Sequence, residues 1–177
     1  MRVLILTVLF LAACSGGGGD LVIDPIDGLP KTITPEPDPT PTGTASYRGP
    51  ATLGFVPVLS DAVELNGTLA LLVNFDGGAE AITGDATGFE TSLGGAVEGR
   101  LFLSGGALDD TNTALLFSSR ISGSLRSGID SYLIFGTLAG EFQETNQSAV
   151  TGRVTGTVRQ SGNDAPLTGS FQAARLP

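Results

Sequence analysis

The chain has no histidine and no tryptophan, and only one cysteine and one lysine among its 177 residues. Each shortage closes a route. Without His there is no Ser-His-Asp triad, no Cys-His dyad and no imidazole metal ligand. Lys31, the lone lysine, sits in a proline-rich stretch, which leaves no place for a Ser-Lys dyad or a Schiff-base lysine in a folded site. Basic residues are few: nine Lys plus Arg against eighteen acids give a formal charge of −9, a poor balance for neutralising nucleic-acid phosphates. What abounds is glycine, 26 residues or about twice its usual share, beside 41% hydrophobic residues. That is ample material for one packed core.

The chain divides into three segments. Arg2 is followed by the apolar run Val3–Ala13, which as a helix would reach only about 17 Å, short of a hydrocarbon core of about 30 Å. Residues 1–13 therefore read as a signal peptide and not as a membrane span. The run closes on Leu11-Ala12-Ala13-Cys14, which resembles the lipobox of bacterial lipoproteins. That resemblance implies cleavage before Cys14, acylation of its thiol, and, with Ser15 following, sorting to the outer membrane. Residues 14–46 then read as a disordered tether: Gly16–Gly19 lead into a stretch holding six of the ten prolines and ending in PEPDPTPT. Such alternation favours polyproline II, and at about 3.1 Å per residue the segment could hold a domain up to roughly 100 Å from the lipid.

Residues 47–177 carry period-two hydrophobicity, cut into segments by Gly, Asp, Asn, Ser and Pro. Leu69, Leu71, Val73 and Phe75 alternate with smaller or polar neighbours and stop at Asp76-Gly77-Gly78. Similar patterns cover 97–104, 115–121 and, most cleanly, 150–158; weaker ones fall near 48–56, 80–87, 132–142 and 167–175. Eight strands in close succession leave no room for helical crossovers, so neighbours pair antiparallel. An all-β, eight-stranded up-and-down barrel removes exposed edges and is just filled by side chains. A two-sheet sandwich is the alternative. Glycines inside strands (Gly84, Gly99, Gly123, Gly136, Gly140, Gly152, Gly156 and Gly169) mark the bends or close approaches that closure needs. The near-repeat of 82–88 and 150–156 reads as one such device used twice.

The C-terminal Gly169-Ser170-Phe171-Gln172-Ala173-Ala174-Arg175 resembles the Gly-x-Phe-x-Ala-x-Arg ending of the β-barrel domain of transferrin-binding protein B-like surface lipoproteins. Gly140-Glu141-Phe142 with Ala149–Val154, Tyr47-Arg48-Gly49 and Leu71–Phe75 resemble further short motifs of that domain. The chain departs from the family in having Gln143–Ser148 where Tyr-Gly-Pro often stands, and it has room for one barrel without handle domains. The resemblance implies a lipid-anchored barrel and a link to nutrient or iron-source capture; it does not carry transferrin binding onto any residue here.

Chemistry has few footholds. Glu98, Asp109 and Asp110 are the acids a carboxylate-only glycosidase would draw on, and none has a distinguishing context. Leu108-Asp109-Asp110-Thr111-Asn112 offers oxygen donors to calcium but reads as a solvated turn. Tyr47 and Tyr132 are the only side chains left to ligate a haem iron. The aromatics Phe55, Phe75, Phe89, Phe117, Phe135 and Phe171 read as packed core. No cofactor, no metal and no enzymatic activity is expected. Expected partners are the membrane, through the lipid on Cys14, and an envelope or extracellular protein; no nucleic acid is expected, and the chain reads as a monomer. A binding module is the leading function, with a structural envelope lipoprotein lacking a dedicated ligand as the alternative.

Overall fold

The computed structural model describes residues 21–23, 30–32, 41–57, 61–110, 114–143 and 146–177. The expected signal peptide, Cys14 and most of the expected tether lie outside them. Within that tether β1 (Leu21–Ile23) and β2 (Pro30–Thr32) pair antiparallel, Leu21 opposite Thr32, in a unit separate from the one that begins at Thr40.

The second unit is a closed barrel of eight antiparallel strands in up-and-down order. They are β3 (Thr44–Phe55), β4 (Val63–Asn74), β5 (Ile82–Thr91), β6 (Ala96–Asp109), β7 (Leu116–Ser127), β8 (Asp130–Gln143), β9 (Ala149–Gln160) and β10 (Asn163–Arg175). Each pairs with the next, and β10 returns to β3 through Leu167–Phe171 opposite Phe55–Ala51 and Arg175 opposite Tyr47. Closure leaves no unpaired edge, which removes the need for edge protection. All eight strands lie where alternation predicts them, though the barrel starts at Thr44, three residues before the expected boundary.

Alternation decides which residues fill the interior. In β9, Val150, Val154 and Val158 are buried while Arg153, Thr155 and Arg159 face out. Leu65, Leu69, Leu71 and Val73 do the same for β4, and Ile134 and Leu138 for β8. Each such side chain contributes roughly 1.5–3 kcal/mol by leaving water. Aromatic rings close both ends of this core. Near one end Phe142 packs against Tyr47, Phe75 and Phe117 at centroid distances of 5.7, 5.3 and 5.3 Å; near the other, Phe55 meets Tyr132 edge-on at 5.1 Å. Among the described residues Ser119 is the one buried polar side chain outside the aromatic set, and its hydroxyl donates to the Ser104 carbonyl at 3.1 Å.

Two bulges reset the alternation. Between Ala86 and Phe89 the β5–β6 register slips around Gly88 (φ +64°), so the inward positions change from even to odd and Phe89 enters the core. Between Ser104 and Ala107 the β6–β7 register slips around Gly105 (φ +62°), in the opposite sense. An extra residue in the left-handed region is what such bulges require, and glycine adopts it without a Cβ penalty. The expected equivalence of 82–88 and 150–156 is thus only partial: Gly88 is a bulge residue with open space beside it, whereas Gly156 faces the Gly136 Cα across the ladder.

The core also corrects one residue. Phe55, Phe75, Phe89, Phe117 and Phe171 are buried as expected, but Phe135 points outward and is half exposed. It shares a face of β8 with Leu133, while Tyr132, Ile134 and Leu138 take the inner face.

Candidate binding groove on the barrel wall

Gly140 on β8 and Gly152 on β9 stand opposite each other. A Cβ on Gly140 would lie 2.9 Å from both the Phe117 and Phe171 rings, and one on Gly152 would lie 2.5 Å from Phe171 Cζ. Bare backbone at these two positions lets both rings press directly under the wall, a close approach that any side chain would block. Above that glycine pair the outer surface sinks into a groove of about 830 Å³.

Register determines what lines it. Thr52, Ser170, Arg153 and Ala139 form one outward row across β3, β10, β9 and β8. Gln172, Thr151, Glu141 and Leu116 form the adjoining row across β10, β9, β8 and β7, with Pro50 alongside. The Gln143 amide donates to Glu141 Oε1 at 2.9 Å and to Thr151 Oγ1 at 3.2 Å, which fixes the acid against the strand. Arg153 is exposed and has no ion-pair partner among the described residues. The groove therefore offers a free guanidinium, an oriented carboxylate, hydroxyls that both donate and accept, and an amide. That set suits hydrogen-bonded recognition of a polar ligand or an extended chain.

The residues singled out by sequence are scattered by the fold. Cys14 lies outside the described residues. Glu98 faces outward on β6 opposite Arg126 on β7. Asp109 ends β6 and Asp110 follows it, while Thr111 and Asn112 lie outside the described residues. Among the described residues no group of three His, Cys, Asp or Glu side chains is gathered where a metal ion could sit. Tyr47 is buried and donates its hydroxyl to the Gln147 carbonyl at 2.9 Å. Burial pushes its phenol above the ordinary pKa, with Arg175 pulling the other way. Burial raises Tyr132 as well, and Asp130 adds to the rise. Both phenols are thus held protonated within the packed interior.

The fold defines a closed up-and-down β-barrel with a packed interior and a polar groove on its outer wall. No protein-family model matches the chain, and no curated protein matches it. Among the described residues no helix is long and apolar enough to cross a membrane.

Proposed function

We propose that the chain is an outer-membrane lipoprotein, acylated at Cys14, whose barrel is a non-catalytic binding module for an envelope or extracellular macromolecule. The observation that carries the binding role is the groove above Gly140 and Gly152, where five strands bring polar side chains, the free Arg153 guanidinium among them, onto one concave face. Concave surfaces with a few convergent polar groups are where ligands bind. The packed core supports recognition on the wall in preference to the interior. The lipobox residues Leu11–Cys14 support the anchor, and the resemblance to transferrin-binding protein B-like barrels supports a role in nutrient or iron-source capture.

The test immobilises the acyl-free chain (Cys14→Ser) and measures saturable retention of envelope and growth-medium proteins, with Arg153→Glu as the groove variant. Binding that saturates and falls at least tenfold with Arg153→Glu supports the reading. No saturable partner, or retention indifferent to Arg153, overturns it in favour of a structural envelope lipoprotein.

A further inference from the structure

The groove above Gly140 and Gly152 runs across the strands and not along them. Its polar side chains follow ladder partners: Thr52, Ser170 and Arg153 from β3 through β10 to β9, and Gln172, Thr151 and Glu141 from β10 through β9 to β8. Neighbouring strands stand about 4.8 Å apart, so these four strands present polar groups at that repeat over about 14 Å. Along a strand the next outward position, as from Ser170 to Gln172 or from Thr151 to Arg153, lies about 7 Å away. Two polar rows therefore flank a narrow floor. That floor is main chain at Gly140 and Gly152, with Phe117 and Phe171 lining it from beneath.

Much of the hydrogen-bonding capacity of the two rows is open. Among the described residues Ser170, Gln172 and Arg153 have no side-chain hydrogen bond or ion pair. The Thr151 hydroxyl accepts from Gln143 at 3.2 Å and keeps its own proton to give, and Glu141 has Oε1 filled by Gln143 while Oε2 stays open. Thr52 donates to Asn66 at 2.9 Å and keeps its lone pairs. Donors and acceptors thus lie side by side. Charge is balanced as well: the groove holds one guanidinium and one carboxylate. It sits on a barrel whose thirteen acids outnumber its seven arginines over residues 47–177.

We infer that the groove takes a neutral oligosaccharide laid across the strands; the inference rests on the groove being the barrel's binding site and names its ligand class. Three features argue against the other classes. An extended peptide gains affinity by pairing its main chain with a sheet edge, and the closed barrel has none. A polyelectrolyte needs several opposite charges in a row, and here one cation stands beside one anion. A purely apolar ligand would strip water from Glu141 and Arg153 without replacing it. A sugar chain meets each condition. Its hydroxyls both donate and accept, which matches the planar side chains of Gln172, Glu141 and Arg153 and the hydroxyls between them. The C–H faces of its rings suit the floor over Phe117 and Phe171. One pyranose ring is close in length to the strand spacing, so successive units meet equivalent positions on successive strands. The volume of about 830 Å³ falls within the range of roughly 300–1,000 Å³ that small-ligand sites occupy.

The experiment uses the full chain with Cys14→Ser and records saturation-transfer NMR with neutral hexasaccharides of α-linked glucose, β-linked glucose, mannose and N-acetylglucosamine. Hexagalacturonate is the acidic comparison. Expected is saturable binding to at least one neutral series, constant within about twofold from low salt to about 0.5 M, because no net charge is neutralised. Gln172→Leu and Ser170→Ala should each weaken it about fivefold, the loss of one or two neutral hydrogen bonds. Arg126→Ser, at the other end of β7, should leave it unchanged; circular dichroism checks that each variant keeps the fold. No transfer to any neutral series, beside protein retention that still depends on Arg153, overturns the sugar assignment and leaves the groove as a protein site. Neither sugar nor protein binding overturns the assignment and the binding role together. Sugar binding indifferent to both Gln172→Leu and Ser170→Ala overturns the placement in the groove, and preference for hexagalacturonate that fades with salt overturns the neutral class in favour of an acidic one.

Discussion

Gly67 on β4 and Phe89 on β5 give the sharpest test of how this interior is packed. A Cβ on Gly67 would stand 2.6 and 2.7 Å from Phe89 Cδ1 and Cε1 and 3.0 Å from Cγ; its three nearest neighbours are all atoms of that ring. Phe89 is itself only 2% accessible, so the ring has nowhere to swing. Gly67→Ala should therefore cost about 1–3 kcal/mol in overpacking. Roughly 0.5–1 kcal/mol of that is offset because alanine restricts the unfolded chain more than glycine. Phe89→Leu alone should cost about 1–2 kcal/mol in lost burial and cavity. Together, leucine vacates the space the new methyl needs, and the pair should lose about 1–2 kcal/mol less than the sum of the singles. Urea unfolding followed by circular dichroism reads this out, tryptophan fluorescence being absent. Additivity within about 0.5 kcal/mol would refute the ring-over-glycine packing. Gly136 provides the contrast. There a Cβ would lie 2.5 Å from the Thr155 carbonyl oxygen and 3.3 Å from Gly156 Cα, so only backbone could yield. Gly136→Ala should reach about 3 kcal/mol or more, and no side-chain trimming should restore it.

Other outcomes follow from single groups. Both phenols are raised above their ordinary value, so the folded state holds more protons than the unfolded one above about pH 10. Stability should be flat below that pH and fall as it rises through the folded values; Tyr47→Phe with Tyr132→Phe should remove the fall, as read by urea midpoints from pH 8.5 upward. Tyr47→Phe also removes the hydrogen bond to the Gln147 carbonyl near the end of the barrel and should cost about 1 kcal/mol at neutral pH. Ser119→Ala leaves the Ser104 carbonyl without its donor beside the β6 bulge and should cost about 1 kcal/mol by thermal or urea unfolding. Cys14→Ser should release the chain from membranes without detergent and leave its mature N-terminus unmodified by mass spectrometry; continued need for detergent would contradict a lipid-only anchor.

Period-two hydrophobicity was enough to find every barrel strand, because each strand has one face in oil and one in water. It worked best where the outer face is uniformly polar, as along Val150–Val158. It stopped short in β5 because Gly88 adds a residue and reverses the alternation, and a bulge glycine looks like any other glycine in sequence. Phe135 escapes the pattern for a related reason. Leu133, Ile134 and Phe135 are all apolar, so the run carries no alternation to say which side of the wall each takes. The groove was invisible from sequence for a topological reason. Thr52, Glu141, Arg153 and Gln172 lie up to 120 residues apart, and only the exact pairing of five strands gathers them. The glycines at 140 and 152 signal a bend, a bulge or a close approach alike, and nothing local tells which of these holds or which ring approaches. Cys14 rests on its neighbours in the chain alone.

The barrel begins and ends at one rim, where the Leu176 amide donates to the Ser46 carbonyl at 2.8 Å. The order of its strands around the cylinder is therefore independent of where the chain happens to be cut. A short linker from Pro177 back to Thr44 would turn the polypeptide into a loop with no natural start. Fresh termini at Ser161–Gly162, a two-residue turn with both φ angles positive, would then yield a permuted cylinder with the same neighbours at every position. Such a permutant would carry its termini at the opposite rim, with the wall groove reversed end for end relative to them.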